Sequence, residues 1–113
     1  MANEGDLSDL WQSLSYCIIR KPNDLLAHTR RIRLCHEPLL LDRLAGALLD
    51  LDYALKGGGA ALRNRLHAES LPLLGEDAQL LQAPLLQTVK GRMLPSMSQL
   101  LGVTQTGGVN IAS

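Results

Sequence analysis

The sequence predicts an all-α protein, and three observations support this prediction. Leucine supplies 26 of the 113 residues, whereas Val and Ile together supply seven and Phe is absent. Leucine is a good helix former, while strands favour β-branched and aromatic residues. Apolar residues also recur every three or four positions along most of the chain, which is helical spacing. We therefore expect a single helical domain over residues 1–101. Residues 102–113 contain three glycines and no periodicity, and they predict a flexible C-terminal tail.

Two helices are expected at the start of the chain. The first is predicted over 7–20, because Asp6 provides an N-cap and Pro22 ends the apolar pattern. The second is predicted over about 24–36, with Asn23 as its cap. The short connection between them favours an antiparallel hairpin.

The third predicted helix has the clearest apolar stripe. It is expected to begin near Pro38 and to end at three glycines, 57–59. Known phosphate-binding glycine loops follow a strand and carry a fixed Gly or Lys pattern, so a helix end and turn is the favoured interpretation here. The stripe has alternating spacings of three and four, and we expect its middle leucines to be deeply buried. Its members are Leu41, Leu44, Leu48, Leu51 and Leu55.

Shorter helical segments are expected after the glycines. A fourth helix is predicted over about 60–70. Asp77 is predicted to cap a fifth segment, which Pro84 kinks or divides and Pro95 ends. Ser96 is expected to cap a short last turn. The sequence thus predicts five to six helices in all.

The spacing of the predicted hairpins indicates an internal repeat. The two hairpins start near residues 7 and 39, and Pro38 and Pro72 lie 34 positions apart. The period and the residues of the first unit resemble those of tetratricopeptide repeats, over residues 8–72. Arg31 departs from that pattern, because a large apolar residue is expected at its position. The matching residues of the first unit are Trp11, Leu14, Ser15, Ile18 and Ala27.

The stretch 48–70, LLDLDYALKGGGAALRNRLHAES, is similar to the central region of small tetratricopeptide-like chaperones of bacterial type III secretion. This resemblance implies antiparallel helical hairpins whose concave surface clasps an aggregation-prone partner. From the residues alone, a small helical bundle of five to six helices remains an equal alternative to tetratricopeptide-like hairpins.

The charge and hydropathy of the chain restrict its function class. The formal net charge is zero, which argues against a nucleic-acid binder. There is no secretory signal and no apolar stretch near the roughly 20 residues that a membrane span needs, so we expect a cytoplasmic protein. In that compartment Cys17 and Cys35 are expected to be buried free thiols. Asp50 and Asp52 are expected to solvate an outer helix face.

No group of residues in the sequence predicts catalysis, a metal site or a cofactor site. A zinc site needs about four ligands at suitable spacing, which His28, His36, His67, Cys17 and Cys35 do not have. A Cys–His nucleophile pair from Cys17 or Cys35 with His28 is conceivable, but packing of these residues is favoured. No GxSxG, dinucleotide-binding or Walker pattern occurs. We therefore expect that the chain is not an enzyme.

Two surfaces are candidates for binding. Arg30, Arg31 and Arg33 form a basic patch on the second predicted helix, where they could contact phosphates. The segment 80–101 is rich in apolar residues and could face a protein partner or a second copy, because large exposed apolar patches mark interaction sites. Alternatively, this segment caps the repeat. Its candidate partner-binding residues are Leu85, Leu86, Val89, Met93, Met97 and Leu100.

These observations lead to one functional expectation and one alternative. We expect a protein-binding helical module that acts as a small chaperone or adaptor, and the resemblance implies a role in a bacterial secretion system. The alternative is a small nucleic-acid-associated or regulatory helical protein that uses the basic patch. The zero net charge and the scarcity of aromatic residues disfavour this alternative.

Overall fold

A computed structural model describes residues 4–82 and 89–95 of the chain. Within these ranges the regular structure is helical throughout, which confirms the all-α prediction. The described residues contain four α-helices instead of the five to six predicted, and two 3-10 helices at Pro38–Arg43 and Gly75–Leu81. The α-helices are α1 (Glu4–Arg20), α2 (Leu25–Leu34), α3 (Leu44–Leu55) and α4 (Ala60–Leu74). No described helix is long and apolar enough to cross a membrane.

The first two helices differ from the prediction at their N-termini. α1 begins at Glu4, three residues earlier than expected, and its first turn carries acids that suit the positive end of the helix dipole. Asp24, instead of Asn23, caps α2 by accepting a hydrogen bond from the backbone N–H of Ala27 at 3.1 Å. The turn at Pro22 and Asn23 places Asp24 directly before the first helical residue, so its carboxylate reaches the free N–H groups.

The core surrounds α3. Every residue from Leu44 to Leu51 is buried, as expected for the leucine stripe. The α-helix begins at Leu44, because residues 38–43 form a tighter 3-10 turn where the sequence predicts its first turns. α3 ends at Leu55, and the next residue, Lys56, adopts the left-handed conformation with φ 50° just before the three glycines.

α4 continues beyond its predicted end. The sequence predicts that this helix ends near residue 70, but α4 extends to Leu74 and contains Pro72. A helical proline leaves the carbonyl four residues earlier without its usual partner. That carbonyl belongs to Ala68, which is exposed, so water can bind it and the helix tolerates the proline.

Consecutive helices pack against each other, so that α2 contacts α1 and α3, and α3 contacts α4. Residues 89–95, which we name the strap, also lie against α3. A Cβ atom on Gly46 would collide with the backbone of Lys90, Gly91 and Arg92, so only glycine permits this close approach. Val89 and Leu94 of the strap are buried. The predicted turn at Ser96 and the predicted tail lie outside the described residues.

Candidate functional site

Arg31 lies in the interior of the protein and not on its surface. Its Nη1 is 2.6 Å from Oδ2 of Asp50, and neither side chain is exposed. The prediction that Arg31 belongs to a surface basic patch is therefore wrong, and so is the expectation that Asp50 solvates an outer face. Arg31 therefore occupies a core position, where Asp50 neutralises its charge.

Each nitrogen of the Arg31 guanidinium has a partner. Nε donates to the hydroxyl of Ser15 at 3.0 Å, and Nη2 donates to the backbone carbonyl of Gly91. The guanidinium carbon also lies 4.0 Å from the centroid of the Trp11 ring, which is a cation–π contact. One arginine of α2 thereby contacts α1, α3 and the strap.

Asp50, like Arg31, forms hydrogen bonds with the backbone of the strap. Its carboxylate accepts hydrogen bonds from the backbone N–H groups of Met93 at 2.9 Å and Leu94 at 2.8 Å. Burial raises the pKa of Asp50, while Arg31 and these two N–H groups oppose that rise. Burial likewise lowers the pKa of Arg31, and Asp50 opposes this. Because both side chains are buried and hydrogen-bonded to α1 and to the strap, this pair is a structural cross-link.

Two other sequence candidates for chemistry are also fixed by packing. His28 is fully buried, and its Nε2–H donates to the carbonyl of Pro22 at 2.7 Å, while Nδ1 has no hydrogen-bond partner among the described residues. Burial lowers the pKa of His28, so the ring is neutral near pH 7. Cys35 is buried, which raises the pKa of its thiol to about 12. Cys17 is exposed, which corrects the expectation that both thiols are buried.

A serine–histidine contact that sequence reasoning missed lies between α4 and the turn that follows α2. Nε2 of His36 is 3.1 Å from the hydroxyl of Ser70. Ser70 is completely buried, so its hydroxyl is closed to a substrate. The contact ties α4 to the end of α2. Among the described residues, no cluster of three or more His, Cys, Asp or Glu side chains could hold a metal ion.

One of the open pockets of the described surface is a groove of about 600 Å³ between α1 and α2. The groove is lined by five leucines, which we name the floor, and by four polar residues, which we name the rim. The rim residues belong to α2 and the turn that follows it. The floor consists of Leu7, Leu10, Leu14, Leu26 and Leu34. The rim consists of Thr29, Arg30, Arg33 and Glu37.

Two leucines of the floor remain exposed. Leu10 is 49% and Leu26 is 58% exposed, although each lies beside residues that are buried in the core. The sequence places Leu10 at helical spacing with Leu7, Trp11 and Ile18 of α1. The core covers those three residues but not Leu10, because α2 packs against only part of the apolar stripe.

The remaining candidate residues from the sequence differ in how far they are exposed to solvent. Arg30 and Arg33 are exposed, and Arg33 lies 3.3 Å from Glu69 of α4. In the apolar segment 80–101, Val89 is buried in the core and Met93 is partly buried. Val89 therefore stabilises the fold and does not present a partner-binding side chain. The other four, Leu85, Leu86, Met97 and Leu100, lie outside the described residues.

Comparisons of the chain with protein-family models, curated proteins and solved structures find no match.

Proposed function

We propose that this protein is a protein-binding helical module that acts as a small chaperone or adaptor, and that the groove between α1 and α2 receives the apolar part of its partner. The observation that carries the proposal is the exposure of Leu10 and Leu26 on the floor of one groove. Burying a leucine side chain contributes about 1.5–3 kcal/mol relative to leaving it in water. Covering both side chains therefore supplies a driving force for association.

The composition of the groove supports a protein partner over a nucleic acid. An apolar centre with a polar rim is typical of protein interfaces. The basic patch retains only Arg30 and Arg33 at the surface, since Arg31 is buried, and Arg33 already has Glu69 beside it. Two arginines above a leucine floor do not form the extended basic stripe that nucleic-acid binding needs.

The fold supports a further part of the proposal, that the four helices stack as two tetratricopeptide-like hairpins. Each helix packs on the next one in the chain, and the connections after α1 and α3 are short. The departure at Arg31 is compatible with this arrangement, because Asp50 on α3 neutralises the charge that replaces the expected apolar residue. The similarity of residues 48–70 to type III secretion chaperones extends the proposal to an aggregation-prone, secreted partner.

The proposal can be tested with a defined probe. A fluorescein-labelled, leucine-rich amphipathic peptide of about 15 residues, with glutamine on its polar face, is titrated with the protein, since helices of this length are stabilised by packing an apolar face. Fluorescence anisotropy measures the affinity. We expect L10S combined with L26S to weaken binding about tenfold or more, because both leucines lose their apolar contact.

The matched control is L39S combined with L71S. These two leucines are 56% and 51% exposed and do not line the groove. The control should bind as the parent does, and circular dichroism should show equal helix content in all three proteins. A parent that does not bind the peptide, or equal binding by both double variants, would overturn the proposal.

A further inference from the structure

We propose that the occupant of the groove is an amphipathic helix of a partner protein that carries carboxylates along one flank of its apolar stripe, next to Arg30 and Arg33. This inference rests on the proposed protein-binding function and assigns the chemistry of the partner.

The shape and lining of the groove favour a helix. The leucines of α1 are spaced by three and four positions and extend over about 10 Å, and those of α2 extend over about 12 Å. Such a trough matches anchors at i, i+3, i+4 and i+7 of a docked helix. An added strand would need free backbone groups, which helices pair internally. Polyproline segments dock on aromatic rings, and none lines this groove among the described residues.

The charged residues that line the groove determine which flank of the docked helix carries carboxylates. The lining residues from α1 are all leucines, so charge is carried by the α2 side alone. Arg30 and Arg33 lie one helical turn apart there and can meet two carboxylates that are also one turn apart on a partner. Glu37 is the single acidic side chain among the described lining residues, so arginine predominates.

Both arginines are available to a partner. Arg30 is exposed and forms no ion pair with the described residues. Arg33 contacts Glu69 at 3.3 Å, but half of the Arg33 side chain is exposed to solvent. Exposed pairs of this kind contribute little, so a partner carboxylate can replace Glu69 at low cost.

The test compares three peptides that share one leucine stripe and differ on one flank, which carries Glu, Gln or Lys. The full chain is titrated with each peptide by fluorescence anisotropy. We expect the parent to bind the Glu peptide about tenfold more tightly than the Lys peptide, since two exposed charge pairs change sign. The variant R30E combined with R33E should reverse this order, and added salt should reduce the difference.

The control variant is K21E combined with R65E, which makes the same change of net charge at exposed residues outside the groove. It should keep the preference of the parent for the Glu peptide. If the control changes the preference as much as the groove variant does, long-range charge and not the rim is responsible, and the inference is overturned.

The remaining outcomes separate this inference from the proposed function. Failure of all three peptides to bind overturns both. Equal binding of the three, with sensitivity to L10S and L26S, overturns the charged flank and leaves the protein-binding groove in place. Sedimentation of the parent as a dimer that L10S and L26S dissociate would identify a second copy as the occupant and overturn the inference.

Discussion

The guanidinium of Arg31 and the carboxylate of Asp50 meet at 2.6 Å in a part of the core where neither side chain is exposed to solvent. The pair connects α2 to α3, and its remaining hydrogen bonds connect both helices to Ser15 of α1 and to the strap. A buried ion pair stabilises a fold only when its remaining donors and acceptors are satisfied, as they are here. The pair thus fixes the position of the strap on the helices.

We predict that the contributions of Arg31 and Asp50 to the free energy of unfolding are strongly coupled. R31M and D50L should each lower the free energy of unfolding by about 3–5 kcal/mol, because each leaves the other charge buried without its partner. The double variant should be more stable than either single variant, since no unpaired charge remains. Urea denaturation of the four proteins measures this. Additive losses in the double variant would contradict the coupling.

The close approach of the strap to α3 predicts a large effect at Gly46. G46A should lower the free energy of unfolding by about 1–3 kcal/mol, because its methyl group must displace the strap backbone. G58A is the control, because an added Cβ at that position meets only the Leu55 carbonyl at 3.4 Å. It should change stability by less than about 0.5 kcal/mol. Equal denaturation midpoints for both variants would show that the strap does not pack tightly on α3.

The burial of His28 predicts that the protein loses stability in acid. Burial lowers the pKa of His28 below its ordinary value of 6.5, so below that value the unfolded chain binds a proton that the folded protein does not. The stability contribution of His28 is therefore present above pH 6.5 and falls as the pH drops toward the folded-state pKa. Neighbouring Asp50 and Asp24 oppose the shift and Arg31 adds to it, but burial is its largest cause.

H28Q isolates this contribution from that of the other titrating groups. Between pH 7 and pH 5 the free energy of unfolding of the parent should fall more steeply than that of H28Q, because glutamine does not titrate. Urea denaturation at several pH values gives both curves. Parallel curves would mean that His28 is protonated equally in the folded and unfolded states.

The two cysteines should differ in reactivity. Cys17 is exposed, whereas Cys35 is buried with a thiol pKa of about 12, so its reactive thiolate is scarce at neutral pH. A disulfide reagent should therefore modify one thiol of the native protein quickly and the second only after denaturation. C17S should show no fast phase. Rapid modification of two thiols in the native parent would contradict the buried position of Cys35.

The residue types and their spacing by themselves determined the helical class, the leucine face of α3 and the C-terminal ends of α1 and α3. Helix propensity, proline and glycine act locally, so these features can be predicted from neighbouring residues. Tertiary structure decided which side of each helix is covered. Helical spacing groups Leu10 with the core residues of α1, but only the packing of α2 shows that Leu10 lies in an open groove. The burial of Arg31 likewise depended on Asp50, 19 positions away, and on Gly91, 60 positions away. A charge can be buried only where distant parts of the chain supply its partners, and this information is absent from the local pattern.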